Sequence, residues 1–418
     1  MTKSKSITVL GGGIIGLFTA YYAMRKGHRI TIVERGAASH DSCVLGSAGM
    51  IVPSHFIPLA APGMVAMGLR MMWDPESPFY IRPRLSGELL SWAWKFYRAA
   101  TPAHVARSAP LLRDLSLASR RCFEELAGLS DNDFGLVKKG LLMLCKSEHT
   151  LAEEARTAQQ ANQLGIPAEV LTPAQTAKLE PGIRFDIAGA VYFPQDCHLA
   201  PQRLVASLTR ALELGGASFS WSTEVTGWVV KNGRIAAART TQGEIAADEY
   251  VLAGGSWSPN MLCGLGLRLP LQAGKGYSIT LPQPKRLPAI CSILAEARVA
   301  VTPIGSSLRF GGTMEIAGLD QTIRQPRVNG IIKSVPKYFP EFTADDFHSL
   351  PVWSGLRPCS PDGLPYLGRF SRYPNLCAAT GHAMMGLSLG PITGKLIAQI
   401  LSGEKPAIEL AALSPDRY

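Results

Sequence analysis

Gly11, Gly13 and Gly16 are spaced Gly-x-Gly-x-x-Gly, and Glu34 stands about twenty residues on. The first glycine permits a tight turn. The second lets the backbone approach a pyrophosphate, and the third lets a helix pack closely on a strand. A helix opening at Ile14 and Ile15 would offer unpaired N–H groups and a partial positive charge to the phosphates. A carboxylate at Glu34 can accept from ribose hydroxyls and disfavours a 2′-phosphate, which argues against NADP. The chemistry indicated is dinucleotide binding, and the alternative is a glycine-rich packing turn. The spacing alone leaves FAD and NAD open.

Other side-chain chemistry is sparse. The 8 cysteines are Cys43, Cys122, Cys145, Cys197, Cys263, Cys291, Cys359 and Cys377, and none forms a C-x-x-C pair. The 8 histidines are scattered, so no metal site is expected. The net charge of +10 is spread over the chain without a long Lys/Arg run, so it reads as a basic surface rather than a nucleic-acid groove.

The elements that must position these residues can be read from pattern. Ile7–Leu10 reads as a buried strand, Ile14–Arg25 as a helix stopped by Gly27, and Arg29–Val33 as a second strand ending at Glu34. This is a βαβ unit of about thirty residues. Residues 84–127 are helix-rich, with Trp92, Trp94, Phe96 and Tyr97 expected in the core. Leu141–Leu144 and 189–193 read as strands, and 149–164, 173–179 and 201–214 as helices. Strands follow at 219–221, 225–230, 234–240, 249–253, 277–280 and 308–310. The chain closes with a strand at 376–380 and a helix expected from about Pro391 to Leu401. Residues 3–23 imitate a secretory leader, but Gly11-Gly12-Gly13 in the middle argue against one. Prolines 53, 58 and 62 break the apolar stretch 47–72, so it cannot span a bilayer as a helix.

Further stretches carry a family resemblance. They include Gly46-Ser47-Ala48-Gly49, Thr223-Glu224-Val225, Val251-Leu252-Ala253-Gly254-Gly255-Ser256-Trp257, Lys275-Gly276-Tyr277-Ser278, Gly311-Gly312-Thr313-Met314-Glu315, Gly355-Leu356-Arg357-Pro358 and Thr380-Gly381-His382-Ala383-Met384-Met385-Gly386. Together they resemble the D-amino-acid oxidase superfamily, and within it the bacterial FAD-dependent D-amino-acid dehydrogenases. The resemblance implies an α/β fold in which a Rossmann-type FAD domain (1–60, 181–265 and 352–418) interleaves with an α+β substrate domain on a mixed or antiparallel sheet (61–180 and 266–351).

It also implies a non-covalent FAD held by Gly11, Gly13, Ile14, Ile15, Gly16, Glu34, Arg35, Ser47, Ala48, Gly49, Met50, Val225, Ala253, Gly254, Trp257, Arg357, Gly381, His382, Met384, Met385, Gly386 and Leu387. Cys359 is the residue that would carry a covalent link instead. Arg357 is expected to pair with the substrate carboxylate through its planar fork, and Tyr277 to donate to the same carboxylate. His382 is expected against the flavin, and His55 and Arg309 at the substrate. His198 is a further histidine that could reach the cavity.

The implied reaction is oxidation of a D-amino acid, or of a D-proline or hydroxy-D-proline. Electrons would pass to a quinone or another carrier. A glycine or sarcosine oxidase using oxygen is the alternative, and a flavoprotein that modifies RNA is an alternative of another class. A cytoplasmic location is expected. The Met-rich stretch 51–72 is expected either on an anionic membrane surface or as a core or subunit contact.

Overall fold

The computed structural model describes residues 4–40, 42–129 and 133–418; Lys3 of the leader-like stretch lies outside them. The βαβ unit forms where the pattern places it, as Ser6–Leu10, Ile14–Arg25 and Arg29–Val33. Its strands sit inside a 6-stranded sheet ordered Tyr366–Arg369, Leu376–Thr380, Glu249–Leu252, Ser6–Leu10, Arg29–Val33, Ser218–Ser220. All neighbours are parallel except the first pair.

Side-chain alternation sends Ile7, Val9, Val251 and Cys377 to one core, and Leu10, Leu252 and Leu376 to another on the opposite face. The first face is covered by helices Ile14–Arg25, Pro201–Leu214 and Gly386–Leu401. The second is covered by the antiparallel strands Val225–Lys231, Arg234–Thr240 and Gly243–Ala246. Burial on both faces explains why the strands read as continuous apolar runs.

A 9-stranded mixed sheet carries the rest: Val352–Cys359, Gln272–Leu281, Ser307–Ile316, Val299–Ile304, Cys291–Leu294, Leu141–Cys145, Gly189–Phe193 and Glu169–Leu171 in order, with Phe79–Ile81 beside Ser307–Ile316. The expected boundaries move accordingly. Gly189–Phe193 pairs with Leu141–Cys145, and Val352–Cys359 with Gln272–Leu281, so both strands belong to this sheet rather than to the nucleotide domain. Helix Pro102–Ala127 moves the other way. Leu112, Leu115, Phe123 and Leu126 join the nucleotide-domain core, with the Phe123 ring edge-on to Phe18 at 5.8 Å.

Two local expectations are corrected. The last helix begins at Gly386, five residues before Pro391. Proline there forfeits one hydrogen bond, to the Leu387 carbonyl, and the helix persists because nearly all of it is buried against Ile14–Arg25. Trp92 is buried, but Trp94 and Tyr97 are 60% and 58% exposed, because helix Gly87–Ala99 packs through Leu89, Trp92 and Phe96. Residues 383–401 are long and apolar enough to cross a membrane by length and composition, yet 67% of that stretch is buried inside the protein.

Candidate active site

A cavity of about 1140 Å³ runs from the Gly11–Gly13 turn to the 9-stranded sheet. At its first end Gly11 holds φ +120°, a conformation glycine adopts freely, and an added Cβ would meet the Ala253 carbonyl oxygen at 2.5 Å. A Cβ on Gly13 would meet nothing within 4 Å, so the backbone there is bare to the cavity. Gly16 does not line the cavity; a Cβ there would lie 1.9 Å from the Gly11 carbonyl oxygen, and its role is close packing of helix on strand.

Glu34 lines the wall with both oxygens engaged by backbone. Oε2 accepts from Gly12 N–H at 2.7 Å and Oε1 from Gly36 N–H at 2.8 Å, so it braces the turn as well as offering its remaining lone pairs. Arg35 stacks over the Trp257 ring at 3.6 Å, joining two residues from distant parts of the chain. Ile14, Ile15, Ser47, Ala48, Gly49, Met50, Val225, Ala253, Gly254, Met384, Met385, Gly386 and Leu387 also line the cavity. Gly381 does not; with φ +82° it turns the chain into the His382 segment. The bare turn, the helix N-terminus behind it and the carboxylate beside it fit a dinucleotide carrying a flavin.

Arg357 lines the far part of the cavity. Its Nη1 donates to the Thr313 carbonyl at 2.6 Å, and burial lowers its pKa from the usual guanidinium value. The guanidinium lies flat over the facing strand, where a Cβ on Gly276 would come within 2.1 Å of Nη2. Thr313 is a β-branched residue at φ +70°, a strained conformation. It lies at a bulge where the register of Gln272–Leu281 against Ser307–Ile316 shifts between Lys275 and Tyr277. The bulge turns the Thr313 carbonyl toward Arg357. Nothing in the sequence marks Thr313 for this role beyond the two glycines that precede it within strand Ser307–Ile316.

Tyr277 lines the cavity, but its hydroxyl is committed elsewhere. It donates to Glu315 Oε2 at 2.7 Å. Glu315 is fully buried and is neutralised by Lys275 Nζ at 3.6 Å and Arg324 Nε at 2.9 Å. The phenol therefore supports a buried charge cluster rather than pointing a free donor at a substrate, and burial beside the carboxylate raises its pKa. Arg309 is likewise displaced from its expected place. It does not line the cavity; Nη1 donates to the Leu45 and Ser47 carbonyls at 2.8 Å each, and Nε to Thr280 Oγ1 at 3.0 Å. It clamps the loop that forms the cavity wall at 46–49.

His382 is buried on the cavity wall, with Nε2 2.9 Å from Thr393 Oγ1 and Nδ1 without a hydrogen-bond partner among the described residues; burial drives its pKa down to about 3. His55 is half-buried on the wall, and burial lowers its pKa to about 4. His198 is buried away from the cavity, on the strand paired with Met50–Ile51. Cys359 is fully buried off the wall, its Sγ 4.0 Å from Met314 Sδ, and burial pushes its pKa up to about 12. The Met-rich stretch divides. Met64 and Met67 line the cavity, while Leu69 and Trp73 face outward at 60% and 89% exposure. Glu154 and Arg298 also reach the wall.

The family model described as FAD dependent oxidoreductase (DAO) matches residues 6–400. The chain is 32% identical to the D-amino acid dehydrogenase of Granulibacter bethesdensis, covering 99% of each chain. It is 34% identical to that of Cereibacter sphaeroides, covering 99% of this chain and 95% of the relative. Among solved structures, glycine oxidase from Geobacillus kaustophilus superimposes with a TM-score of 0.80 at 25% identity, covering 100% of both chains. L-proline dehydrogenase from P. horikoshii superimposes with a TM-score of 0.74 at 18% identity, covering 100% of this chain and 98% of that one, and speaks for the fold. A match over nearly the whole length, on the glycine turn and sheet arrangement described above, makes this chain a member of the DAO family of FAD-dependent oxidoreductases.

Proposed function

We propose that the protein is a D-amino-acid dehydrogenase. The observation that carries the reading is Arg357, an always-charged planar fork fixed by the Thr313 carbonyl in the cavity that begins at the dinucleotide turn. When bound, the flavin supplies the acceptor for the hydride on the substrate α-carbon. Arg357 holds the substrate carboxylate and so fixes the α-carbon. Tyr277 contributes to the cavity wall. The N-terminus of helix Gly386–Leu401, with Met385, Gly386 and Leu387 on the cavity, sets a partial positive charge where negative charge would collect. Non-covalent binding is favoured because the Cys359 thiol is buried off the cavity wall and held protonated.

The substrate side of the cavity is rich in Met64, Met67, Met143 and Met314, an adaptable apolar wall suited to a pyrrolidine ring such as D-proline or hydroxy-D-proline. Electrons pass on to a quinone or other carrier, and the outward Leu69 and Trp73 with Arg70 supply a surface for reaching it at an anionic membrane. The glycine-oxidase-type alternative draws on the similarity to the Geobacillus structure.

The test is a panel of D- and L-amino acids, prolines and glycine, assayed with a quinone analogue and with oxygen. The expected result is a yellow protein that releases FAD on acid precipitation, oxidises D-substrates, and turns over faster with the quinone. Turnover of glycine with oxygen at the same rate favours the oxidase alternative. Colour that stays in the precipitate overturns non-covalent binding.

A further inference from the structure

Beneath the cavity wall, Asp196 is fully buried in a corner formed by residues 54–55 and the turn after strand Gly189–Phe193. Ser54 N–H donates to Asp196 Oδ1 at 3.1 Å and Ser54 Oγ–H to Oδ2 at 2.5 Å. The same Ser54 Oγ lies 3.0 Å from His55 Nδ1. Both Asp196 oxygens thus accept, which fits the ionised carboxylate. With its own hydrogen given to Asp196, Ser54 Oγ can only accept from His55, so Nδ1 carries the ring proton. That tautomer leaves the Nε2 lone pair free, and among the described residues nothing hydrogen-bonds Nε2. The result is a directional chain of hydrogen bonds from a cavity-lining imidazole to a sealed carboxylate.

We infer that His55, Ser54 and Asp196 form a proton relay that takes one proton from the substrate amine. This rests on the D-amino-acid reading above. An amino acid arrives as an ammonium, which has no nitrogen lone pair to form the C=N bond as hydride leaves the α-carbon. In the relay the ammonium gives its proton to His55 Nε2, His55 Nδ1 passes its proton to Ser54 Oγ, and Ser54 passes its own to Asp196. The balance is one ammonium and one carboxylate converted to one neutral amine and one carboxylic acid. The imidazole ends neutral, protonated on Nε2 instead of Nδ1.

The burial of both ends suits this division of labour. His55, with its pKa lowered to about 4, does not retain the proton, whereas Asp196, raised by burial to about 7, can accept it. The other titratable and charged groups near Asp196 are Arg120 on helix Pro102–Ala127, Cys197 beside it and Cys291 on strand Cys291–Leu294. His198 and Lys139 lie on the neighbouring segments, and Glu154 and Arg298 lie on the cavity wall.

The experiment uses holoprotein, mixed anaerobically with the best substrate of the panel while flavin absorbance is followed between pH 6 and 10.5. The relay predicts a wild-type acid limb near pH 7. It predicts that Ser54→Ala and Asp196→Asn reduce flavin about 100-fold more slowly at pH 8, and that Ser54→Thr, which keeps the hydroxyl, restores most of the rate. Toward pH 10.5, where a growing share of a primary-amine substrate arrives already neutral, the variants should approach wild type, to within about threefold. Ser54→Ala and Asp196→Asn at wild-type rate at pH 8, or equally slow at all pH values, would overturn the relay.

An independent reading needs no turnover. In histidine-15N-labelled holoprotein without substrate, the signal missing from His55→Asn should report the Nδ1–H tautomer at pH 9 and the Nε2–H tautomer at pH 5.5. A tautomer that does not change overturns the relay as well. If wild type fails to oxidise D-amino acids but reduces its flavin with another amine, the D-amino-acid reading fails separately, and the relay is judged with that amine.

Discussion

Arg357 shows how one residue depends on two unlike neighbours. Gly276 leaves room for the guanidinium to lie across the sheet, and the bulged Thr313 carbonyl fixes one of its nitrogens. Replacing Arg357 by Lys keeps the charge but loses the fork. The expected loss is about 1.5–3 kcal/mol, or roughly tenfold to a hundredfold in kcat/KM, mostly through KM, with flavin absorbance unchanged. Gly276→Ala tests the same arrangement without touching the arginine: the new methyl would displace the guanidinium, and kcat/KM should fall in the same direction. Steady-state kinetics with flavin content measured on each sample checks both. Unchanged kinetics in both variants would make Arg357 a structural residue.

At the scale of elements, the nucleotide domain is held by the crossing of helix Gly386–Leu401 on helix Ile14–Arg25. Two glycines set how close that crossing is. A Cβ on Gly394 would lie 2.5 Å from the backbone carbon and oxygen of Phe18, which cannot move independently of their helix. A Cβ on Gly390 would meet side chains alone, the Phe18 ring at 2.7 Å and Ile14 Cγ1 at an ordinary 3.6 Å, and side chains can adjust. Gly394→Ala is therefore expected to cost about 1–3 kcal/mol of stability by overpacking, and Gly390→Ala less. Denaturant midpoints at equal slopes measure the order. The same crossing explains why the helix start was misjudged. Pro391 reads as a first-turn residue when local preference is weighed alone, but burial of the whole helix outweighs one missing hydrogen bond.

For the whole molecule, buried titratable groups set the pH dependence of stability. His55, His198 and His382 have native pKa values lowered by burial to about 4, 4 and 3, so each contributes stability that is complete above its unfolded value and is lost as pH falls toward the native one. Asp196 works in the opposite sense. Its raised native value, about 7, means its contribution is complete below the unfolded carboxylate range and declines as pH rises to 7. Between pH 4 and 6.5 these four groups together leave the unfolded chain with up to three more protons on the histidines and the native state with one more on Asp196, so their combined contribution rises with pH by about 2.7 kcal/mol per pH unit at its steepest. His28, lowered by burial, adds in the same sense, and Glu154 and Glu180, raised by burial, oppose it. Thermal unfolding from pH 4.5 to 7 checks the slope, and a Tm that is flat or higher at low pH would contradict it.

What the sequence by itself determined was local in origin. The βαβ unit, the glycine turn and most strands and helices are encoded by short-range periodicity and glycine placement, and residues 11–16 with Glu34 were legible because their roles are set within one supersecondary unit. Arg357 was legible through family resemblance. The tertiary structure alone decided what depends on pairing across long separations. The sheet membership of 189–193 and 352–359 follows from strand partners far away in the chain, which composition cannot reveal. Tyr277 and Arg309 were misplaced because a side chain's direction depends on its partner: Glu315 draws away the phenol, and the carbonyls of Leu45 and Ser47 draw away the guanidinium. The stretch Asp196-Cys197-His198 is unusual in the sequence but gives Asp196 no legible role, because only folding brings it to Ser54, 142 residues away, and only burial gives that contact its chemical force.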